Sequence, residues 1–196
     1  MKLIGITQEH VFEREEEYIT LLLEEGMDAL HIRKPNVLSD SIRSLLERIP
    51  SYLHSKIILH DHFDLLGDFH LKGIHLNRRH PYPPQGYTGY VGRSCHDLQE
   101  LTTAERLDYR FLSPIFDSIS KQGYTARFTD RELSEAAHRG IINSSVIALG
   151  GITPEHLPLL SRYGFGGAAL LGYLWQAHDK EELRNNLQTL IRYNSH

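Results

Sequence analysis

Two short apolar runs, VIALGGI at 146–152 and GAALLG at 167–172, end in glycine and are each followed by a helical pattern. Runs of this length are too short for helices and read as buried parallel strands. Glycine lets a ligand approach the backbone closely, and a helix starting just beyond it adds partial positive charge. Gly150, Gly151 and Gly172 are therefore suited to receiving a phosphate on backbone N–H groups. Other short runs end in reactive side chains: Thr7 and Gln8, His31 and Arg33, His60 and Asp61, His75 and Asn77, Ser94 and His96, then Ser113. The polar stretch that follows adds Ser118, Ser120 and Lys121. With Arg33, Lys34, Arg78, Arg79, Arg93 and Lys121 among them, these ends carry a local positive field in a chain of formal net charge −4. That combination fits an anionic substrate.

Something must bring these ends together. Hydrophobic periodicity predicts six strands upstream of the two glycine-tipped runs, at 3–7, 29–33, 56–60, 73–76, 90–94 and 109–113. Helices are expected at 11–25 (Tyr18/Leu22 and Ile19/Leu23 stacked, Gly26 as the stop), 38–49, 97–106, 130–139 and 154–163. A last helix carries Leu183, Leu187, Leu190 and Ile191, and a short helical piece lies at 63–69. Residues 77–89 contain Pro81, Pro83 and Pro84 and read as a loop in place of the fourth helix. Eight strand–helix steps predict an α/β fold, a single-domain β/α (TIM-type) barrel over residues 1–196 with a shortened fourth unit. The chain is shorter than the ~250 residues usual for that fold, as a curtailed unit requires. An open doubly wound sheet is the alternative that alternation does not exclude. In a barrel, chemistry gathers at the C-terminal strand ends, with a phosphate cup after strands 7 and 8.

Composition narrows the setting. Hydrophobic residues at 40% and charged residues at 23% are ordinary for a soluble globular protein. The net charge gives no general attraction to nucleic acid, and the basic pair Arg78-Arg79 beside Tyr82, Tyr87 and Tyr90 is too short to change that. The single cysteine, Cys95, cannot form an internal disulfide and reads as a packing residue. No apolar run approaches eighteen residues, so a cytoplasmic protein with no membrane partner is expected.

Six segments, ALHIR at 29–33, His60-Asp61, GIHL at 73–76, GRS at 92–94, the stretch from Asp108-Tyr109 to Lys121, and ALGGI at 148–152, resemble the thiamine phosphate synthase/TenI superfamily in order and spacing. The resemblance spans nearly the whole chain and implies a β/α barrel. Synthase members join hydroxymethylpyrimidine diphosphate to thiazole phosphate, releasing diphosphate with Mg²⁺ assistance; TenI-type members include a thiazole tautomerase. By this resemblance Arg33, Ser94 and Lys121 are catalytic and Asp61 is a metal ligand. Ser118, Ser120, His31 and His60 join the diphosphate or substrate contacts, and Gly150 and Gly151 receive the thiazole phosphate, with Gly172 standing where the synthases end strand eight in a hydroxyl residue. The partners implied are small phosphorylated heterocycles and a possible homo-oligomer, with Leu174 and Trp175 as core or subunit contact.

The chain departs from the synthase pattern in places. His31-Ile-Arg33-Lys34-Pro35 stands where synthases read Gln-x-Arg-x-Lys, and His60-Asp61 replaces Asn-Asp. His80 occupies the place of a second magnesium carboxylate, which thins the metal site, since histidine is a poor Mg²⁺ ligand. The tautomerase histidine after strand six falls on Pro114. A synthase-type activity is the expectation. A thiazole tautomerase and a non-catalytic sensor of pathway phosphates are the alternatives. His31, His60, His75 and His80 come from neighbouring strand ends; they read as satisfied structural histidines, and less readily as a transition-metal site or a general base.

Overall fold

The structure, a computed structural model, describes residues 1–117 and 126–195. Eight parallel strands close into a barrel in chain order: β1 (Lys2–Ile6), β2 (Ala29–Ile32), β3 (Ile57–Leu59), β4 (Gly73–Leu76), β5 (Tyr90–Cys95), β6 (Tyr109–Leu112), β7 (Val146–Leu149) and β8 (Gly167–Leu170). The closing pair, β1 with β8, is in register from Lys2↔Gly167 to Gly5↔Leu170. Closure leaves no sheet edge, and it rules out the open doubly wound alternative. Alternate strand residues turn inward. Ile4, Ile6, Ala29, Ile58, Tyr109, Phe111, Ile147 and Ala169 form the inner core. The larger core lies between strands and helices and includes Leu3, Leu22, Leu30, Leu45, Leu160 and Leu187.

The helices are α1 (Glu15–Glu24), α2 (Ser39–Arg48), α3 (Asp130–His138), α4 (Leu157–Arg162), α5 (Gly172–Trp175) and α6 (Lys180–Asn194). Each long one exists because an apolar stripe needs cover: Ile19, Leu22 and Leu23 on α1, Leu183, Leu187 and Leu190 on α6. Thr129 and Glu132 form a reciprocal capping box at the start of α3, and Asp179 caps α6. The fourth unit has no helix, as its prolines require.

Three elements differ from expectation. The first helix begins at Glu15, because Arg14 is left-handed at φ 61° and a helix cannot run back through it. Residues 97–106 hold only a 3₁₀ turn, Glu100–Thr102, since Leu101 alone is fully buried there with Leu98 half-buried beside it, too short an apolar stripe to support a helix. The strand expected to end at Gly172 ends at Leu170, and Gly172 opens the one-turn α5, whose Trp175 indole donates to the Ile6 carbonyl at 2.7 Å.

Candidate active site at the mouth of the barrel

β7 ends where the backbone must turn sharply, and it does so through Gly150 at φ 104° and Gly151 at φ 62°. The chain leaving β6 runs directly against them. Ile115 N–H donates to the Leu149 carbonyl at 3.0 Å and Phe116 N–H to that of Gly150 at 3.1 Å. A Cβ on Gly151 would lie 2.1 Å from the Asp117 carbonyl oxygen, and one on Gly150 2.9 Å from Pro114. Glycine is thus demanded twice, by conformation and by the neighbouring backbone. His156 stacks face to face on Phe116 at 3.7 Å and accepts from Thr153 N–H, fixing the far wall of this turn. β7 pairs with β8 (Leu149↔Ala169), so Gly150, Gly151 and Gly172 leave adjacent strands at the same pole, all half-buried. Ser118, Ser120 and Lys121 lie outside the described residues.

The cations divide into two groups. Lys34 is fully buried, its ammonium donating to the carbonyls of Gln8 and His10 and to buried Glu15 at 2.8 Å. Arg93 lies on the opposite face of β5 from Ser94 and pairs with Glu105. Both therefore serve the scaffold, not the mouth, correcting the sequence expectation. Arg33 follows β2, pairs with Glu9 at 2.6 Å, and is only partly exposed. Arg79 grips Asp61 through both guanidinium arms, at 2.9 and 3.0 Å.

Magnesium seeks a near-octahedral oxygen shell, commonly one or two carboxylates with phosphates completing it. Asp61 offers one carboxylate, with both oxygens on Arg79 and His80 Nε2 3.4 Å from Oδ1. Where a second carboxylate is expected stands that histidine. As they stand these residues do not fit a resident magnesium ion; a guanidinium supplies the positive charge in its place.

Beneath the mouth the barrel interior is polar. His31 and His60 are buried, with Nδ1 of one 2.9 Å from Nε2 of the other. His31 stacks on Phe111 at 4.9 Å, and His60 on His75 at 4.3 Å with ring planes 19° apart. His75 Nδ1 meets the Tyr109 hydroxyl and its Nε2 meets Ser94 Oγ, both at 2.9 Å. Burial holds all three imidazoles neutral: His31 and His60 are pushed well below the usual histidine range, and His75, with Arg93 adding a smaller effect, down to about 3. Ligand nitrogens of the trio lie within 4.8 Å of one another. Only His60 and His75 stack, aiming their in-plane lone pairs side by side; His31 meets both edge-on, and its Nδ1 is already engaged with His60 Nε2. The cluster is a hydrogen-bonded layer, and His80 stands apart from it on Asp61.

Three contributors escaped the sequence. Tyr109 had a signal, an inward-facing place on β6 two residues before Phe111. His156 had a weaker one, the third position after Thr153 at a helix start. The clasp of Arg79 on Asp61 had none, because it depends on how a proline-rich loop folds back.

The model of a family described as thiamine monophosphate synthase matches residues 3–174. A solved structure of thiamine phosphate pyrophosphorylase from Bacteroides thetaiotaomicron superimposes with a TM-score of 0.90 at 39% identity, covering 100% of this chain and 98% of that one. A thiamine-phosphate synthase from Photorhabdus laumondii is 25% identical over 89% of this chain and 85% of its own. One from Levilactobacillus brevis is 32% identical over 46% of this chain, and one from Latilactobacillus sakei 27% identical over 63%. The chain spans only 42% and 58% of those two proteins.

Neutral buried histidines make stability depend on pH. Once unfolded, each protonates near its ordinary value of 6.5, while the folded forms resist. The unfolded chain thus binds more protons below that pH, so stability is complete above it and falls as pH drops. Three such groups set a limiting slope of about 4 kcal/mol per pH unit. Urea midpoints followed from about pH 7.5 to about pH 5 should fall steeply, and less steeply for His31→Phe; a flat profile contradicts the neutral trio. For the guanidinium clasp, Arg79→Ala should raise substrate-free Mn²⁺ affinity severalfold, and Asp61→Asn in that background should remove the gain. Equal affinities in the first comparison contradict the clasp.

Proposed function

The chain belongs to the thiamine monophosphate synthase family, and on that premise we propose that it joins a hydroxymethylpyrimidine diphosphate to a thiazole phosphate. The observation that carries this reading is the pinning of the chain after β6 onto the glycine-tipped end of β7. It sets Asp117, the residue before the Ser118–Lys121 stretch that by resemblance handles diphosphate, against Gly151, which with Gly150 offers backbone to a monophosphate. In the reaction the carbon–oxygen bond to diphosphate breaks, with the electron pair leaving on oxygen. The thiazole nitrogen lone pair then forms the carbon–nitrogen bond.

The task is mainly electrostatic: to gather charge on the departing oxygens and keep water from the pyrimidine cation. Arg33 and Lys121 hold the diphosphate as cations, and Ser94, Ser118 and Ser120 as hydroxyl donors. Gly172 completes the monophosphate seat. His31 and His60, neutral and one layer down, shape the floor under the substrate. Asp61 is the one carboxylate at this edge that would be offered to a magnesium ion carried by the diphosphate, and Arg79 now occupies it. A tautomerase needs a base poised near neutral pH. The buried trio does not supply one, and Pro114 fills the position after β6 where that activity keeps a histidine. No described helix is long and apolar enough to cross a membrane, and we place the protein in the cytoplasm, acting on charged small molecules.

Incubation with both phosphorylated precursors and Mg²⁺ should yield thiamine phosphate and diphosphate in equal amounts. Lys121→Ala should raise the KM for the pyrimidine diphosphate tenfold or more with Tm unchanged. Isomerisation of a thiazole carboxylate without condensation, or tight binding of both precursors without turnover, contradicts the proposal.

A further inference from the structure

His75 lies wholly inside the barrel, and both ring nitrogens are engaged at 2.9 Å, Nδ1 with the Tyr109 hydroxyl and Nε2 with Ser94 Oγ. A neutral imidazole has one N–H and one lone pair, so the chain of contacts runs in one of two directions. Tyr109 decides which. Its phenol is buried and has one described partner, the Nδ1 of His75. Were Nδ1 protonated, the phenolic hydrogen of this buried tyrosine would be left without a described protein acceptor, a costly arrangement. The hydroxyl therefore donates to Nδ1, the ring proton sits on Nε2, and Nε2–H donates to Ser94 Oγ. Ser94 Oγ, its acceptor role filled from below, has its own hydrogen free for something above. Ser94 is half-buried on β5, one residue before the strand's end, and has no other described partner.

We propose that His75 is a positioning residue that fixes the Ser94 hydroxyl as a donor toward a phosphoryl oxygen at the mouth, with Tyr109 locking the required tautomer. Phosphoryl oxygens only accept, so a serine that must serve them gains from a donor beneath it that forbids the opposite orientation. The ring cannot escape by taking a second proton: burial drives its pKa down to about 3. Nor can the phenol ionise, since burial raises Tyr109 well above its usual value. Stacking on His60 and contact with Phe111 hold the imidazole plane. The arrangement delivers one hydrogen in one direction, prepared before the ligand arrives, which is the economy of a preorganised donor. This inference rests on the reading of Ser94 as an anion ligand.

The test uses the full chain and inorganic diphosphate as probe. Nitrogen-15 spectra of labelled wild-type protein should show His75 protonated at Nε2 and bare at Nδ1, and unchanged as pH is lowered toward about pH 5. Ser94→Ala should weaken diphosphate about tenfold, the worth of one hydrogen bond to a charged group. Tyr109→Phe keeps the ring and its stacking on Tyr90 (5.2 Å), yet should weaken diphosphate severalfold and release the tautomer, so that the Nδ1–H form of His75 becomes populated. In a Ser94→Ala background the same change should cost nothing more, which loss of packing alone would not produce. A wild-type Nδ1–H tautomer, or equal penalties for Tyr109→Phe with and without Ser94, overturns the relay and leaves Ser94 as a ligand. Unchanged affinity in Ser94→Ala overturns the relay together with that reading of Ser94.

Discussion

The chain that leaves β6 passes so close to the end of β7 that no side chain fits between them. Gly150 and Gly151 accept this contact with positive φ angles, and two backbone hydrogen bonds, from Ile115 and Phe116, seal it. Everything at the mouth follows from that contact. It sets where the segment beyond Asp117 begins and turns the β7 terminus over toward β8. It also aligns Phe116 under His156, so the wall beside the glycines is stiff. A single methyl group on Gly151 would meet the Asp117 carbonyl at 2.1 Å, so the close contact excludes any larger residue there.

Charge is handled in two ways, one above the other. Inside the barrel polarity is kept without charge, in imidazoles that burial holds neutral and that bond to each other, to Tyr109 and to Ser94. At the mouth charge is kept and paired, Arg33 with Glu9 and Arg79 with Asp61. The Arg33–Glu9 pair is partly open to water on both sides and costs little to exchange for a phosphate, whereas Asp61 is buried beneath Arg79. The buried pair of Lys34 with Glu15 is different: closed to solvent, it ties the β1–α1 connection to the end of β2 and is not available to a ligand.

Much of this was legible in the residues because it depends on local rules. Short apolar runs ending in glycine predicted strands and their polarity, and three prolines predicted the missing fourth helix. The glycine pair stood out in the sequence, and its conformation answers to a neighbouring backbone. What escaped depends on three-dimensional meeting. A lysine beside an arginine after β2 looks like a second mouth cation until Glu15 is found facing it. Four histidines at strand ends read as structural residues, but their arrangement was not legible: His60 and His75 stack, His31 meets both edge-on, and His80 turns to Asp61. Residues 97–106 have helical spacing, but only Leu101 is deeply buried and only Leu98 joins it against the core, too little apolar surface to hold a full helix.

In the proposed reaction two anions are seated side by side at the C-terminal pole, a monophosphate on the backbone at Gly150, Gly151 and Gly172 and a diphosphate toward Ser94 and Arg33. A crystal structure of the protein with thiazole phosphate and diphosphate bound together tests it most directly. The account predicts the monophosphate oxygens within hydrogen-bonding distance of N–H groups at the ends of β7 and β8, with the diphosphate across the mouth from them. Both anions bound at the opposite pole, or a monophosphate held by side chains alone and away from those glycines, would contradict it.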